Sequence, residues 1–121
     1  MPAIVDGNLP EEKFERSTAN AWISFYAEAA HNPRYARLQE LFYKRLRSNI
    51  GSALSPLWSR EETDHFVRGF AAMLDGFWLR RGHSDEAISH LEARALLVEY
   101  SEKMLGSGMV SKLKRLQPKA A

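Results

Sequence analysis

Apolar side chains recur at steps of three and four residues along most of this chain, in four stretches separated by helix-breaking or helix-capping residues. This spacing is typical of α-helices that bury one face. No stretch alternates polar and apolar residues between turn signals as a β-strand would. The sequence therefore predicts an all-α fold of four antiparallel-packed helices, at about residues 11–31, 34–54, 60–81 and 84–105.

Local signals mark the ends of these helices. Pro10, which two acidic residues follow, suits the start of the first helix because proline in the first turn loses no hydrogen bond. Ser59 and Glu62 have the spacing of a capping box, which predicts the start of the third helix. Ser84 is a favoured N-cap residue, and it predicts that the fourth helix begins there.

The folded domain is predicted to span residues 11–105, with a loose lead at residues 1–10 and a flexible basic tail at residues 106–121. The tail follows a flexible joint at Gly106-Ser107-Gly108 and contains four Lys or Arg residues and no acid. Such a segment most often serves solubility, and contact with nucleic acid or anionic lipid is the alternative.

Several function classes are excluded by what the sequence lacks. There is no cysteine, no nucleophile elbow around a serine and no glycine-rich phosphate loop, so we expect no enzyme and no cofactor. His65, with Asp64 and Glu61, is the nearest approach to a metal site, but acids in the first turn of a helix already complement its dipole. We expect no metal site. Without a membrane-spanning run or a secretory leader, we expect a cytoplasmic protein with no membrane contact.

Two segments concentrate aromatic and acidic side chains. Trp22, Phe25 and Tyr26 lie at helical spacing, so their rings share roughly one side of the first helix. Asp75 interrupts an apolar run and lies three residues before Trp78, so these two side chains project together. A carboxylate that is buried in such a run requires a partner, because an unpaired buried charge costs several kcal/mol.

Two interpretations of these segments remain open. In the first, Asp75 and the rings of Trp22, Tyr26 and Trp78 form a box for an organic cation, which cation-π attraction stabilises. In the second, the rings belong to an ordinary core and Asp75 pairs with an arginine such as Arg37 or Arg80. From spacing alone, the second interpretation is favoured.

A family resemblance changes this balance. Over about residues 8–105 the chain resembles the C-terminal regulatory domain of TetR-family transcriptional repressors, in particular those that respond to choline. The segments that carry the resemblance are WISFYA at 22–27, HNP at 31–33 with RLQ at 37–39, RL at 45–46 with SN at 48–49, LDGFWLR at 74–80, AR at 93–94 and EY at 99–100.

The resemblance implies an effector pocket for choline or a related quaternary ammonium, and a homodimer that pairs the last two helices of each subunit. It implies contact with DNA only through a helix-turn-helix domain, which we do not find in these 121 residues. The ligand-binding residues that it implies are Trp22, Phe25, Tyr26, Asp75, Phe77 and Trp78. The dimer-interface residues that it implies are Phe70, Leu74, Leu91, Ala95 and Val98.

Two other functions are compatible with the sequence. A helical adaptor would bind a protein partner and no small molecule, and a nucleic-acid binder would use the basic residues Arg37, Lys44 and Arg47 together with the tail. A closed internal cavity lined by Trp22, Tyr26 and Trp78 would favour a sensor, whereas rings packed without space would favour an adaptor.

Overall fold

The computed structural model of the chain describes residues 2–55, 57–84 and 86–116, with side chains as far as residue 106. These residues form only helices and connections, which confirms the predicted all-α class. A short 3-10 helix, Glu11–Lys13, lies between the first two α-helices. Among the described residues there are five α-helices rather than the predicted four: α1 (Pro2–Asn8), α2 (Arg16–Ala29), α3 (Pro33–Leu54), α4 (Arg60–His83) and α5 (His90–Leu116).

The starts of α3 and α4 agree with the predicted helix starts because their caps are local. Asn32 accepts a hydrogen bond from the Arg34 backbone N–H ahead of α3. Ser59 and Glu62 form the predicted capping box, in which each side chain accepts a hydrogen bond from the backbone N–H of the other residue. These side chains satisfy N–H groups that the helix itself leaves unpaired.

Two helices begin later than predicted. Pro10 is followed by the 3-10 helix, and the helical conformation is interrupted at Phe14 before α2 begins at Arg16. The buried ring of Phe14 packs against Trp78. Ser84 closes a turn, in which its oxygen atoms accept hydrogen bonds from the N–H groups of Glu86 and Ala87. The residue that caps α5 is Ser89, which accepts a hydrogen bond from the Glu92 N–H.

The two ends of the folded region also differ from the prediction. Instead of a loose lead there is α1, which packs on α5, buries Val5 and places Asp6 in a salt bridge with Arg94. At the other end α5 continues through Gly106 to Leu116, beyond the predicted end at residue 105. The basic side chains of the predicted tail lie outside the described residues.

The core forms around α4, which contacts α2, α3 and α5. Its predicted apolar stripe is buried, and this includes Phe70 and Leu74, which we expected at a dimer interface. That expectation is wrong for these two residues because both side chains point into their own subunit. None of the described helices is long and apolar enough to cross a membrane.

The apolar stripes of α3 and α5 do not coincide with their buried faces. In α5 the buried residues are Ala93, Leu97 and Ser101, so Leu91 and Ala95, which we expected at the dimer interface, are exposed. Val98, the third residue of α5 expected there, is partly buried against the core. In α3 only the C-terminal half reaches the core, through Ile50 and other residues that face α4. The first half remains between 39% and 45% exposed at Tyr35, Leu38, Leu41 and Phe42.

Candidate functional site

A pocket of about 730 Å³ lies between α2, α3 and α4, and the end of α1 forms part of its wall. This volume is within the range of small-molecule sites in proteins. Three of the predicted rings line it, those of Trp22, Tyr26 and Trp78, and so does Asp75. The structure therefore brings together four of the six predicted ligand-binding residues around open space.

A hydrogen bond joins two of these residues across the pocket. The Tyr26 hydroxyl on α2 donates to Asp75 Oδ1 on α4, at 3.0 Å. Asp75 is accessible to solvent, whereas the sequence indicated a buried position. The pocket beside it admits water, so the carboxylate does not carry the cost of full burial. Within the part of the chain that the structure describes, its partner is Tyr26 and not Arg37 or Arg80.

The surroundings of this pair shift both pKa values. Partial burial, with smaller contributions from the charge and hydrogen bond of Asp75, raises the pKa of Tyr26 to about 12. Partial burial also raises the pKa of Asp75, against the opposing effect of the hydrogen bond from Tyr26. At neutral pH the phenol therefore stays protonated and donates to the carboxylate.

Both tryptophans pack against other rings, and Trp78 also donates a hydrogen bond to a backbone carbonyl. Trp22 lies edge-on to Phe42 of α3, with 5.7 Å between the ring centroids. Trp78 packs edge-on against Phe14 at 5.0 Å, and its indole N–H donates to the Asn8 carbonyl oxygen at 3.3 Å. These contacts fix the aromatic walls before any ligand is bound.

The other two predicted ligand-binding residues do not line the pocket. Phe25 packs against Tyr35 and Phe42 on the outer side of α2 and α3, at 5.5 Å and 6.0 Å between ring centroids. Phe77 is only 7% exposed and belongs to the core. Both are adjacent in sequence to a lining residue, and one position along a helix turns a side chain by about 100°.

Sequence analysis missed most of the α3 wall. The lining also contains polar and charged side chains, chiefly Lys13, Gln39, Glu40, Tyr43, Arg45 and Asn49. A signal for part of it was present, because polar residues recur at four-residue steps, at 39 and 43 and again at 45 and 49. That pattern indicates a helix face that meets water or a ligand instead of a dry core.

Asp64, one of the three residues that we considered for a metal site, has another role. Asp64 accepts two hydrogen bonds from the Arg47 guanidinium, at 2.6 Å and 3.1 Å, which links α3 to α4. Among the residues that the structure describes, no group of histidines and acids is arranged to hold a metal ion.

Comparison with known proteins gives a consistent result. A family model described as "BetI-type transcriptional repressor, C-terminal" matches residues 1–106. The chain is similar to the HTH-type transcriptional regulator BetI of Vibrio vulnificus (35% identity over 103 residues, 85% of this chain and 52% of the relative). It is also similar to the regulators of the same name from Yersinia pestis (31% over 105 residues, 87% and 53%) and Proteus mirabilis (33% over 105 residues, 87% and 52%). The chain thus spans about half the length of these relatives, and no solved structure matches it.

Proposed function

Because this chain belongs to the family of BetI-type transcriptional repressor C-terminal domains, we propose that it is the effector-sensing and dimerisation domain of a repressor of choline metabolism. The proposed effector is choline or a related quaternary ammonium. The observation that carries the proposal is the pocket in which Trp22, Tyr26 and Trp78 surround the carboxylate of Asp75.

The chemistry of this pocket suits a quaternary ammonium. Such a cation has no N–H to donate, so a protein recognises it through aromatic faces and a nearby negative charge. Each ring contributes roughly 0.5–2 kcal/mol of cation-π attraction. Asp75 supplies the negative charge, and the hydrogen bond from Tyr26 holds that carboxylate in place.

The pocket favours a sensor over the adaptor that we considered from the sequence. An adaptor has no need of internal space, and its rings would pack against one another. Here the three rings border a cleft of about 730 Å³ on which polar groups converge, although the cleft is partly open to solvent and not the closed cavity that we expected for a sensor. One of the basic residues considered for nucleic-acid binding, Arg47, already forms a salt bridge with Asp64.

Dimerisation is proposed through the outer face of α5. TetR-family regulators are generally dimeric DNA-binding proteins. Leu91 and Ala95 are exposed four residues apart on one face of α5, and Leu91 is 77% exposed, whereas Val98 is partly buried because it also packs against the core. A second subunit would cover this apolar surface. For the whole repressor, we propose that a helix-turn-helix domain outside this chain contacts DNA in the cytoplasm.

The first test is calorimetric titration of the chain with choline. We expect measurable binding, and we expect Asp75→Asn to weaken it roughly tenfold because the counter-charge is lost, which corresponds to about 1.4 kcal/mol. The stability should change by no more than about 0.5 kcal/mol, because Asp75 is solvent-accessible.

Glu61→Gln is the matched control for this test. Glu61 is exposed on the same helix, about 20 Å from Asp75 along the axis, so its loss should leave choline affinity unchanged. The proposal is wrong if the unmodified chain shows no choline binding at millimolar concentration. The role of Asp75 is wrong if Asp75→Asn binds choline as well as the original chain does.

Choline affinity should also depend on pH. Protonation of Asp75 removes the charge that attracts the cation, so affinity should fall as the pH is lowered. Since the pKa of Asp75 is raised, this fall should begin at a higher pH than for an ordinary aspartate. Titrations over a pH series measure the effect.

The other ionisable groups of the pocket act differently in this pH series. The lining also contains Lys13, Glu40 and Arg45, and it contains Tyr26, whose pKa of about 12 keeps it neutral throughout the acid range. Glu40 is the other carboxylate of the lining, so Glu40→Gln is measured in parallel and should retain the pH dependence. Asp75→Asn should flatten it. An unchanged pH profile in Asp75→Asn would contradict the assignment.

A further inference from the structure

The pocket that contains Asp75 also presents two basic side chains, Lys13 from the 3-10 helix and Arg45 from α3. Among the residues that the structure describes, neither of them forms an ion pair. Together with Asp75 and Glu40, they give the lining two acids and two bases. A site for a simple cation has no use for positive charges, which repel it.

Arg45 lies at a distance from the carboxylate along the pocket. The helices α2 and α3 are joined by a short turn and run antiparallel, and ring contact places Trp22 beside Phe42. From that level, Tyr26 lies four residues towards the turn and Arg45 lies three residues away from it. At 1.5 Å per residue, the backbones of Tyr26 and Arg45 are offset by about 10 Å along the pocket. Arg45 is therefore well separated from Asp75, which is hydrogen-bonded to Tyr26.

The volume of the pocket also exceeds what a small cation fills. Choline has about seven non-hydrogen atoms and occupies roughly 200 Å³ at most, if each atom takes the volume of a liquid water molecule, about 30 Å³. The pocket measures about 730 Å³ and is partly open to solvent, so part of this excess borders solvent and part borders the basic side chains. A choline molecule held by the rings and Asp75 leaves the part of the pocket beside Lys13 and Arg45 unfilled.

We propose that the pocket is built for a quaternary ammonium that also carries an anionic group several bonds away. The ammonium lies among the rings and Asp75, and Lys13 and Arg45 bind the anion. The inference rests on the proposed function for its ammonium end. An arginine with no carboxylate partner offers the paired N–H donors that carboxylates and phosphates accept.

The test compares three ligands in calorimetric titrations of the full chain: choline, phosphocholine and γ-butyrobetaine. The last two keep the quaternary ammonium and add a phosphate or a carboxylate. We expect at least one of them to bind about tenfold or more tightly than choline, because it also engages the basic side chains. The tighter of the two identifies the anion as phosphate or carboxylate.

The double variant Lys13→Gln with Arg45→Gln should reverse this preference. It should weaken the preferred zwitterion about tenfold or more and leave choline unchanged or slightly tighter, since two repelling charges are removed. The matched control is Arg34→Gln with Arg37→Gln, which removes two exposed positive charges of α3 outside the lining and should change neither affinity. Far-ultraviolet circular dichroism confirms that each variant is folded.

Three results would overturn the proposal. If choline binds as tightly as both zwitterions and the double variant changes no affinity, Lys13 and Arg45 do not bind an anion, and the proposed function is unaffected. If inorganic phosphate binds as tightly as phosphocholine, the anion alone is recognised. If none of the three ammonium compounds binds, the proposed function fails as well.

Discussion

Replacing Trp78 with alanine should destabilise the folded chain by about 3 kcal/mol and also weaken choline binding roughly tenfold or more. The stability loss follows from two contacts behind the ring. The indole N–H donates to the Asn8 carbonyl oxygen, and the ring packs edge-on against Phe14. Truncation leaves a cavity and an unpaired carbonyl, and urea denaturation measures the result.

Trp22→Ala separates the two effects of the Trp78 substitution. Trp22 lines the same pocket, but its ring partners are Phe25, Tyr26 and Phe42 near the surface, so its removal should cost less stability for a similar loss of affinity. Trp78→Phe keeps an aromatic face but loses the N–H donor, and it should lie between the original chain and the alanine variant. An alanine variant at position 78 that is as stable as the original would contradict the described packing.

Replacing Leu91 with glutamate should raise the dissociation constant of the dimer by a hundredfold or more and leave the subunit folded. The side chain is 77% exposed in the single subunit, so a charge there costs little until a partner covers it. Once covered, an unpaired carboxylate costs several kcal/mol, and a few kcal/mol correspond to a hundredfold change in affinity. Light scattering over a concentration series measures the dissociation.

The control for Leu91→Glu is Leu38→Glu, which makes the same change at a 42% exposed position on α3, away from the proposed interface. It should not alter the oligomeric state. Phe70, which was also expected at the interface, should behave differently from Leu91 because its side chain is fully buried within the subunit. Phe70→Ala should unfold the chain and not merely dissociate it, at a cost of about 3–5 kcal/mol. A monomeric original chain at tens of micromolar would contradict the proposed dimer.

The parts of the fold that the sequence predicted correctly depend on local interactions. The capping box at Ser59 and the cap at Asn32 involve residues two or three positions apart. The starts of α3 and α4 can therefore be predicted from the local sequence. At the start of α5 the chain offers two serines that could cap the helix, Ser84 and Ser89, and Ser89 is the one that does so. The late start of α2 depends on a tertiary contact. Phe14 leaves the helical path to reach Trp78, which lies far away in the sequence, and no local pattern reports that.

The candidate site shows the same division. Spacing placed Trp22 and Tyr26 on one helix and Asp75 and Trp78 on another, but the hydrogen bond from Tyr26 to Asp75 joins residues 49 positions apart. Spacing alone favoured an ordinary core, and the family resemblance shifted the balance towards a pocket that both segments share. The resemblance did not indicate Arg45, because a basic residue on a helix is most simply interpreted as solvated. The rotation of α4 about its axis decides that Phe70 is core, and that rotation is set by three neighbouring helices.

The position of Trp78 makes ligand binding and the placement of α1 thermodynamically linked. One ring borders the pocket and also donates its N–H to Asn8, the last residue of α1. A ligand that prefers one orientation of this ring therefore shifts the equilibrium between docked and released α1. By reciprocity, anything that pulls on α1 from its N-terminal side changes the affinity of the pocket by the same factor. The indole of Trp78 thus couples the pocket energetically to α1.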